Sequence, residues 1–231
     1  MIYRLIFFIC LAGNLWAGDF YANWKPGHTE QLKYEIKTFQ PKETISYQYL
    51  EIMRDADNKE ILHINQVLDM PASSITIKSE EKYNISDLRL IESLNYFKFP
   101  PSAVERMGTD SVALKAFTKD DSLVIATRST KLAVPGTIFF PSGSVTNTAS
   151  STLARDIDFK IGQTRYYKFI NLLKLTGKAY QLTEASDSVI AIMEIDTPLG
   201  RKECFQVKNI VQGGYGYTYY MNDNRHLPVK V

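Results

Sequence analysis

A two-residue rhythm, repeated almost from end to end, constrains this chain more than any other feature. In residues 30–39 (EQLKYEIKTF), Leu32, Tyr34 and Ile36 alternate with Lys33, Glu35 and Lys37. That period is the mark of a strand with one buried face. Residues 60–68, 73–83, 112–117 and 122–127 read as strands too, with turn signals at Pro41, DADNK (55–59) and TKDD (118–121). Residues 44–52 place Ile45, Tyr47 and Tyr49 on one face and then Leu50 and Ile52 on the other, which predicts a bulge or a strand buried on both sides. Residues 87–97 fit helix or strand, and strand is the better reading. From Ala133 to Ser151 the chain is rich in Pro, Gly, Ser and Thr and reads as a long loop. Residues 152–159 follow as a short helix capped by Ser150 or Ser151. Strand-like segments then run from Thr164 to Asn222, separated mostly by hairpin-length turns.

This succession predicts an all-β protein. A flat open sheet of so many strands would leave long unpaired edges. A strongly curved antiparallel sheet or open barrel, with one short helix after a long loop, avoids that. Large residues on both faces from Val189 to Ile195 imply that something covers the outer face there. No internal repeat or low-complexity segment interrupts residues 18–231, which read as a single domain.

The first seventeen residues differ. Arg4 precedes an apolar run, LIFFICLAGNLW, and Ala17 stands before Gly18 and Asp19. This is the layout of a secretory signal peptide over residues 1–17, with Ala22 as an alternative cleavage site. The run is short for a membrane-spanning helix, which needs about 20 residues, and no second such run follows. Ile9 before Cys10 does not suit lipid attachment. Loss of this leader takes the formal charge from +2 to +1 and leaves Cys204 as the single cysteine, so no intramolecular disulfide forms. Charge this near neutrality, with scattered lysines and arginines, argues against nucleic acid as a partner.

Residues that carry chemistry are sparse. Cys204 sits on a strand after DTPLG, with no second cysteine for redox exchange, and reads as a small buried hydrophobe. Lys202 and His226 are the candidate groups for activating it, and nothing in the sequence sets their distance from it. His28, His63 and His226 lack metal-ligand spacing, and His63 reads as a half-buried sheet residue. The serines of PSGSV (141–145) lack the strand-turn-helix context of a nucleophile elbow. The glycines of QGGYGY precede no helix and read as a turn or bulge. The pairs Glu80–Glu81 and Asp120–Asp121 read as solvated. No catalytic residue, metal site or cofactor is therefore expected. Tyr215, Tyr217 and Tyr219 share one strand face, with Tyr166, Tyr167 and Tyr180 elsewhere; such rows bind ligands or merely suit strands. Tyr215, Tyr217 and Tyr219, together with His226, are the candidate binding residues.

Two segments carry a family likeness. DTPLGRKECFQVK (196–208) resembles a recurring TPaGtFeCykV hairpin, and YYMNDNRHLPVKV (219–231) resembles a WySdDerrlPVk ending. WKPGHTEQLKYEIK (24–37) is similar to the opening of the same family, the DUF3108 family of bacterial exported proteins. Lys202 and Tyr220 depart from it, where the family favours an aromatic residue and Trp. The resemblance implies a β-rich envelope protein, periplasmic after cleavage, with secretion or outer-membrane association as alternatives. The expected function is a non-catalytic binding or structural module that shelters an apolar small molecule or lipid, or docks an envelope protein. The alternative is an envelope hydrolase whose Asp, Glu and His groups gather only in space.

Overall fold

A computed structural model of the chain describes residues 20–38, 44–128, 134, 136–146, 149–172, 182–197, 200–211 and 214–230. The leader, Pro41, Tyr180 and Gly213 lie outside the described residues.

The fold is all-β, as the rhythm predicts. Strands β1 (Thr29–Thr38), β2 (Thr44–Arg54), β3 (Ile61–Met70), β4 (Ile75–Asn84), β5 (Leu90–Lys98), β6 (Ser111–Lys119), β7 (Ser122–Thr127) and β8 (Thr137–Phe139) form one sheet in chain order. Each is antiparallel to the next. Strands β9 (Ser144–Thr146), β10 (Thr164–Ile170), β11 (Thr183–Thr197), β12 (Gly200–Val211), β13 (Gly214–Met221) and β14 (Pro228–Lys230) form a second sheet, again in chain order. Only β9 and β10 run parallel, because a helical crossover links them. Among the described residues no pairing joins the two sheets into a closed barrel.

Period-two burial sets the layers. On β6, Val112, Leu114 and Ala116 are buried and their neighbours are not. Leu62 and Ile64 of β3, and Leu50 and Ile52 of β2, face the same core. The bulge expected in β2 is absent: its pairing with β1 and β3 runs without a shift, and Tyr49 on the opposite face is 44% exposed. Leu50 and Ile52 thus form its single inward face, not a second one.

Three further expectations are corrected. The loop from Ala133 to Ser151 contains β8 and β9, strands of three residues each, too short to display a period. The helix after it, α2 (Ser150–Leu153), has Ala149 at its N-cap position and no side-chain cap, and continues as a 3-10 turn over Ala154–Asp156. An unexpected helix, here α1 (Pro101–Met107), precedes β6. Its signals are ordinary ones: Pro101 needs no amide partner in the first turn, and Gly108 ends it at φ +67° with its N–H on the Val104 carbonyl.

Residues 140–143 carry the chain from one sheet to the other, and Arg155, in the crossover between β9 and β10, fastens the two together. It is 1% exposed. Its guanidinium meets Glu30 Oε2 of β1 at 2.5 Å, and through Nε and Nη2 it donates to the Arg225 carbonyl before β14, at 3.0 and 2.7 Å. Arg225 closes on the other Glu30 oxygen at 3.0 Å. Residues 20–24 plug the same junction. Tyr21 is fully buried and donates to the Thr152 carbonyl at 2.6 Å, while Arg54 holds the carbonyls of Ala22 and Trp24.

A second polar seam crosses between the sheets. Glu81 is 1% exposed, which corrects the expectation that the Glu80–Glu81 pair is solvated. Consecutive residues of a strand face opposite ways, so only Glu80 reaches water. Glu81 accepts hydrogen bonds from Tyr83 (3.0 Å), Ser93 (3.1 Å) and, from β9, Thr146 (2.8 Å). Burial raises its pKa, and these hydroxyls only partly offset that. A carboxyl whose pKa is raised on folding adds stability below its unfolded value, and loses it as pH climbs through the folded one. Glu81→Gln is therefore expected to raise the melting temperature relative to wild type at pH 8, with the gap shrinking toward pH 4. Thermal scans of both proteins across that range check it; a pH-independent gap contradicts it.

Candidate functional site

The four residues singled out by sequence separate into two places. Tyr215, Tyr217 and Tyr219 stand on one face of β13, opposite Ile210, Lys208 and Gln206 of β12. The next strands extend this row: Ile210 pairs with Ser186 of β11, and Ser186 with Tyr166 of β10. Tyr166, which sequence alone set apart, therefore joins the same face. Tyr166 is 76% and Tyr215 70% exposed. Tyr215 and Tyr217 meet edge to face at 5.8 Å, the Lys208 ammonium lies 5.1 Å from the Tyr215 ring, and Gln206 donates to the Tyr219 hydroxyl at 3.0 Å. Tyr215, Tyr217 and Tyr219 are thus braced by neighbours; Tyr166 and Tyr215 are open to water, and Tyr217 and Tyr219 are half-buried.

His226 lies elsewhere, in the turn between β13 and β14, at φ +45°. Its ring packs on Phe159 (4.2 Å between centroids), Phe20 (5.9 Å) and Phe205 (6.0 Å). Asp223 caps its backbone N–H at 3.1 Å. Burial in this aromatic nest lowers its pKa, which keeps the ring neutral near pH 7. It holds the turn against the core.

Cys204 is fully buried, its thiol 3.7 Å from the Lys202 carbonyl. Burial raises its pKa, and Asp223 and Glu203 add to the shift. That setting opposes the thiolate on which nucleophilic chemistry depends. His63 bonds Asp55 at 2.8 Å, half-buried on β3. The hairpin expectation around Val189–Ile195 is met only at its end. Ile195 is buried, but Ile190, Ile192 and Met193 are 40%, 41% and 40% exposed, and an extra residue at Ile190 interrupts the pairing with β12. They are only partly covered by the described residues.

The inner face of the same sheet holds ionisable groups that sequence reasoning missed. Arg165 and Asp187 pair at 2.7 Å, 8% and 1% exposed. Arg165 also donates to the Leu153 carbonyl at 2.9 Å; Asp187 receives Asn209 at 2.8 Å and the Tyr167 hydroxyl at 3.3 Å. Thr218 donates to Asn209 at 2.7 Å. The odd positions 165, 167, 187 and 209 share one face of three adjacent strands, and that shared parity was the readable signal. Both terminal nitrogens of Arg165, the Asn209 amide and the Thr218 hydroxyl meet acceptors within the protein, so the network fixes strand register and α2. Among the described residues no three His, Cys, Asp or Glu side chains gather as a metal site, and no helix is long and apolar enough to cross a membrane.

No family model matches the chain, and no curated protein matches it in sequence. A crystal structure of a β-barrel-like protein of domain of unknown function DUF1849 from Brucella abortus is similar in fold, with a TM-score of 0.50 and 7% identity over 89% of this chain and 90% of that one. At that identity the likeness concerns the fold alone.

Cys204→Ala is expected to fold normally with a loss of about 1 kcal/mol. The native wild-type thiol should react with a maleimide far more slowly than the unfolded chain. Rapid labelling of the native protein would contradict the buried, protonated setting.

Proposed function

We propose that the protein is a non-catalytic binding module of the bacterial cell envelope, exported by its leader, and that it docks an envelope protein across the outer face of β10–β13. The observation that carries this reading is the open row of Tyr166, Ile210 and Tyr215, with exposed Met193 on the same face toward the β11–β12 turn. Tyrosine combines a broad apolar face with a polar tip and loses little rotamer freedom on contact, which suits a protein interface. Uncovered apolar residues of this size, grouped on one face, mark an interaction surface more often than isolated ones do. The inner face of the other sheet carries buried Glu81, Ser93 and Asn95 among its apolar residues, and this favours docking over shelter of a purely apolar ligand. The hydrolase alternative has less support: His226 packs against rings, and the buried Arg165–Asp187 pair is engaged by the Leu153 carbonyl and Asn209.

The resemblance to DUF3108 supports export, and burial of Tyr21 supports one cleavage site over the other. A cut after Ala22 would remove Tyr21, together with the Phe20 N–H that donates to Asp156 at 3.1 Å. A cut after Ala17 preserves both contacts.

Two measurements test the proposal in a bacterial host. The mature protein should appear in the periplasmic fraction with a mass that begins at Gly18; a cytosolic protein that retains Met1 contradicts export. A photo-crosslinking residue in place of Tyr215 should trap one discrete envelope protein, and Tyr166→Ser should weaken that product. The same product from a crosslinker at Glu35, or none from Tyr215, contradicts the docking face.

A further inference from the structure

The eight-stranded sheet carries a binding feature on its own outer face, remote in sequence from the tyrosine row. Its outward positions form cross-strand rows. One runs Gln31, Glu51, Asn65, Glu80, Leu94, Lys115; the next runs Lys33, Tyr49, Val67, Lys78, Tyr96. A hollow of about 520 Å³ lies along β1–β4 over both rows. A second, of about 240 Å³, continues over β3–β6. The two share Asn65 and Glu80, so together they form one trough across six strands. Five inter-strand spacings make it roughly 24 Å long.

The chemistry of this trough is selective. Glu51 accepts from Gln31 at 2.8 Å and from Asn65 at 3.1 Å, and these bonds lower its pKa, so it stays ionised and fixed. Gln31, Glu51 and Asn65 thus make a braced ladder of planar groups with lone pairs and amide hydrogens to spare. Beside it stands Tyr49, 44% exposed, with the Lys33 ammonium 5.2 Å from its ring centre. Leu94 is also 44% exposed and Tyr96 37%. Charge of both signs alternates along the trough: Lys33, Lys78, Lys82 and Lys115 stand among Glu51, Glu80 and Glu92, with Lys82 paired to Glu92 at 2.6 Å. A polyanion or an anionic lipid surface would meet the fixed Glu51 carboxylate and that of Glu80 within the trough. An extended neutral chain with hydroxyl edges and apolar C–H faces meets a partner at each point: the ladder for its hydroxyls, the tyrosine ring and Leu94 for its faces.

We infer that the trough on the outer face of β1–β6 binds a neutral oligosaccharide, laid across the strands with one ring against Tyr49 and its hydroxyls on the Gln31–Glu51–Asn65 ladder. The inference is independent of the docking face on the other sheet.

Isothermal titration calorimetry of the full mature chain against maltohexaose, cellohexaose and chitohexaose tests it. At least one should bind saturably, and Tyr49→Ala should weaken that binding about tenfold or more. Tyr49 is outward and lightly packed, so the variant should keep the wild-type melting curve. Gln31→Ala should weaken binding as well, through loss of one rung, and Tyr215→Ala should leave it unchanged. No heat from any of the three sugars overturns the inference. So does binding that survives Tyr49→Ala, or binding confined to polygalacturonate or to phosphatidylglycerol vesicles.

Discussion

The buried Arg155 guanidinium is the contact on which the rest of the architecture depends. The chain builds two sheets in strict order, and neither is paired to the other by backbone hydrogen bonds among the described residues. Beyond the shared apolar core and the Glu81 seam, they are tied by an arginine of the β9–β10 crossover that reaches β1 in one direction and the carbonyl before β14 in the other. These two strands stand at the outer ends of their sheets, one near each end of the chain. A single side chain therefore holds together parts of the sequence that local pairing would never bring into contact. Burial of the charge is tolerable only because its Nε and both terminal nitrogens meet an acceptor, and because Phe20 covers the guanidinium face at 4.6 Å.

The two other internal polar groups follow the same logic at different scales. Glu81 links β4 and β5 to β9 through hydroxyls, and Asp187 ties β10, β11 and β12 through Arg165 and Asn209. In a meander whose strands differ little in composition, apolar burial alone permits a slip by two residues with small loss. A slip that unpairs Arg165 from Asp187 is far more costly. The inner faces thus spend polar groups on register, and this leaves the outer faces free to vary. One outer face presents an aromatic row; the other holds a trough of amides, carboxylates and tyrosine.

Much of this was readable from residues. The alternation of Leu32, Tyr34 and Ile36, or of Val112, Leu114 and Ala116, marks a strand because the pleat itself has period two. Tyr215, Tyr217 and Tyr219 share a face for the same reason. What alternation does not reveal is which face turns inward when both carry large residues, and β2 was misread on that account: its Tyr49 face stays in water. Strands β8 and β9 were hidden by brevity, and α1 by the expectation of continuous sheet, although Pro101 and Gly108 bracket it plainly. Glu81 illustrates a deeper limit. A carboxylate within SEEKY looks solvated until the register of β4 against β5 and the arrival of Thr146 from 65 residues away are known. The junction of Tyr21, Glu30, Arg155 and Arg225 is of the same kind, since only the closed fold assembles it. The candidate tyrosine row gained Tyr166 through cross-strand register, which depends on pairing partners rather than on spacing along the chain.

The central claim is that the Arg155 clamp makes two sheets unfold as one body. Trp24, packed against Phe20 and Tyr21 at the junction, reports on the clamp by fluorescence, while far-ultraviolet circular dichroism reports on both sheets. Urea unfolding of the chain from Gly18 onward should give coincident transitions for the two signals. In Arg155→Met, which leaves Glu30 without its buried partner, the fluorescence transition should move to lower urea and separate from the dichroism transition. Coincident curves with an unchanged midpoint in that variant would show that the sheets are held together by something else.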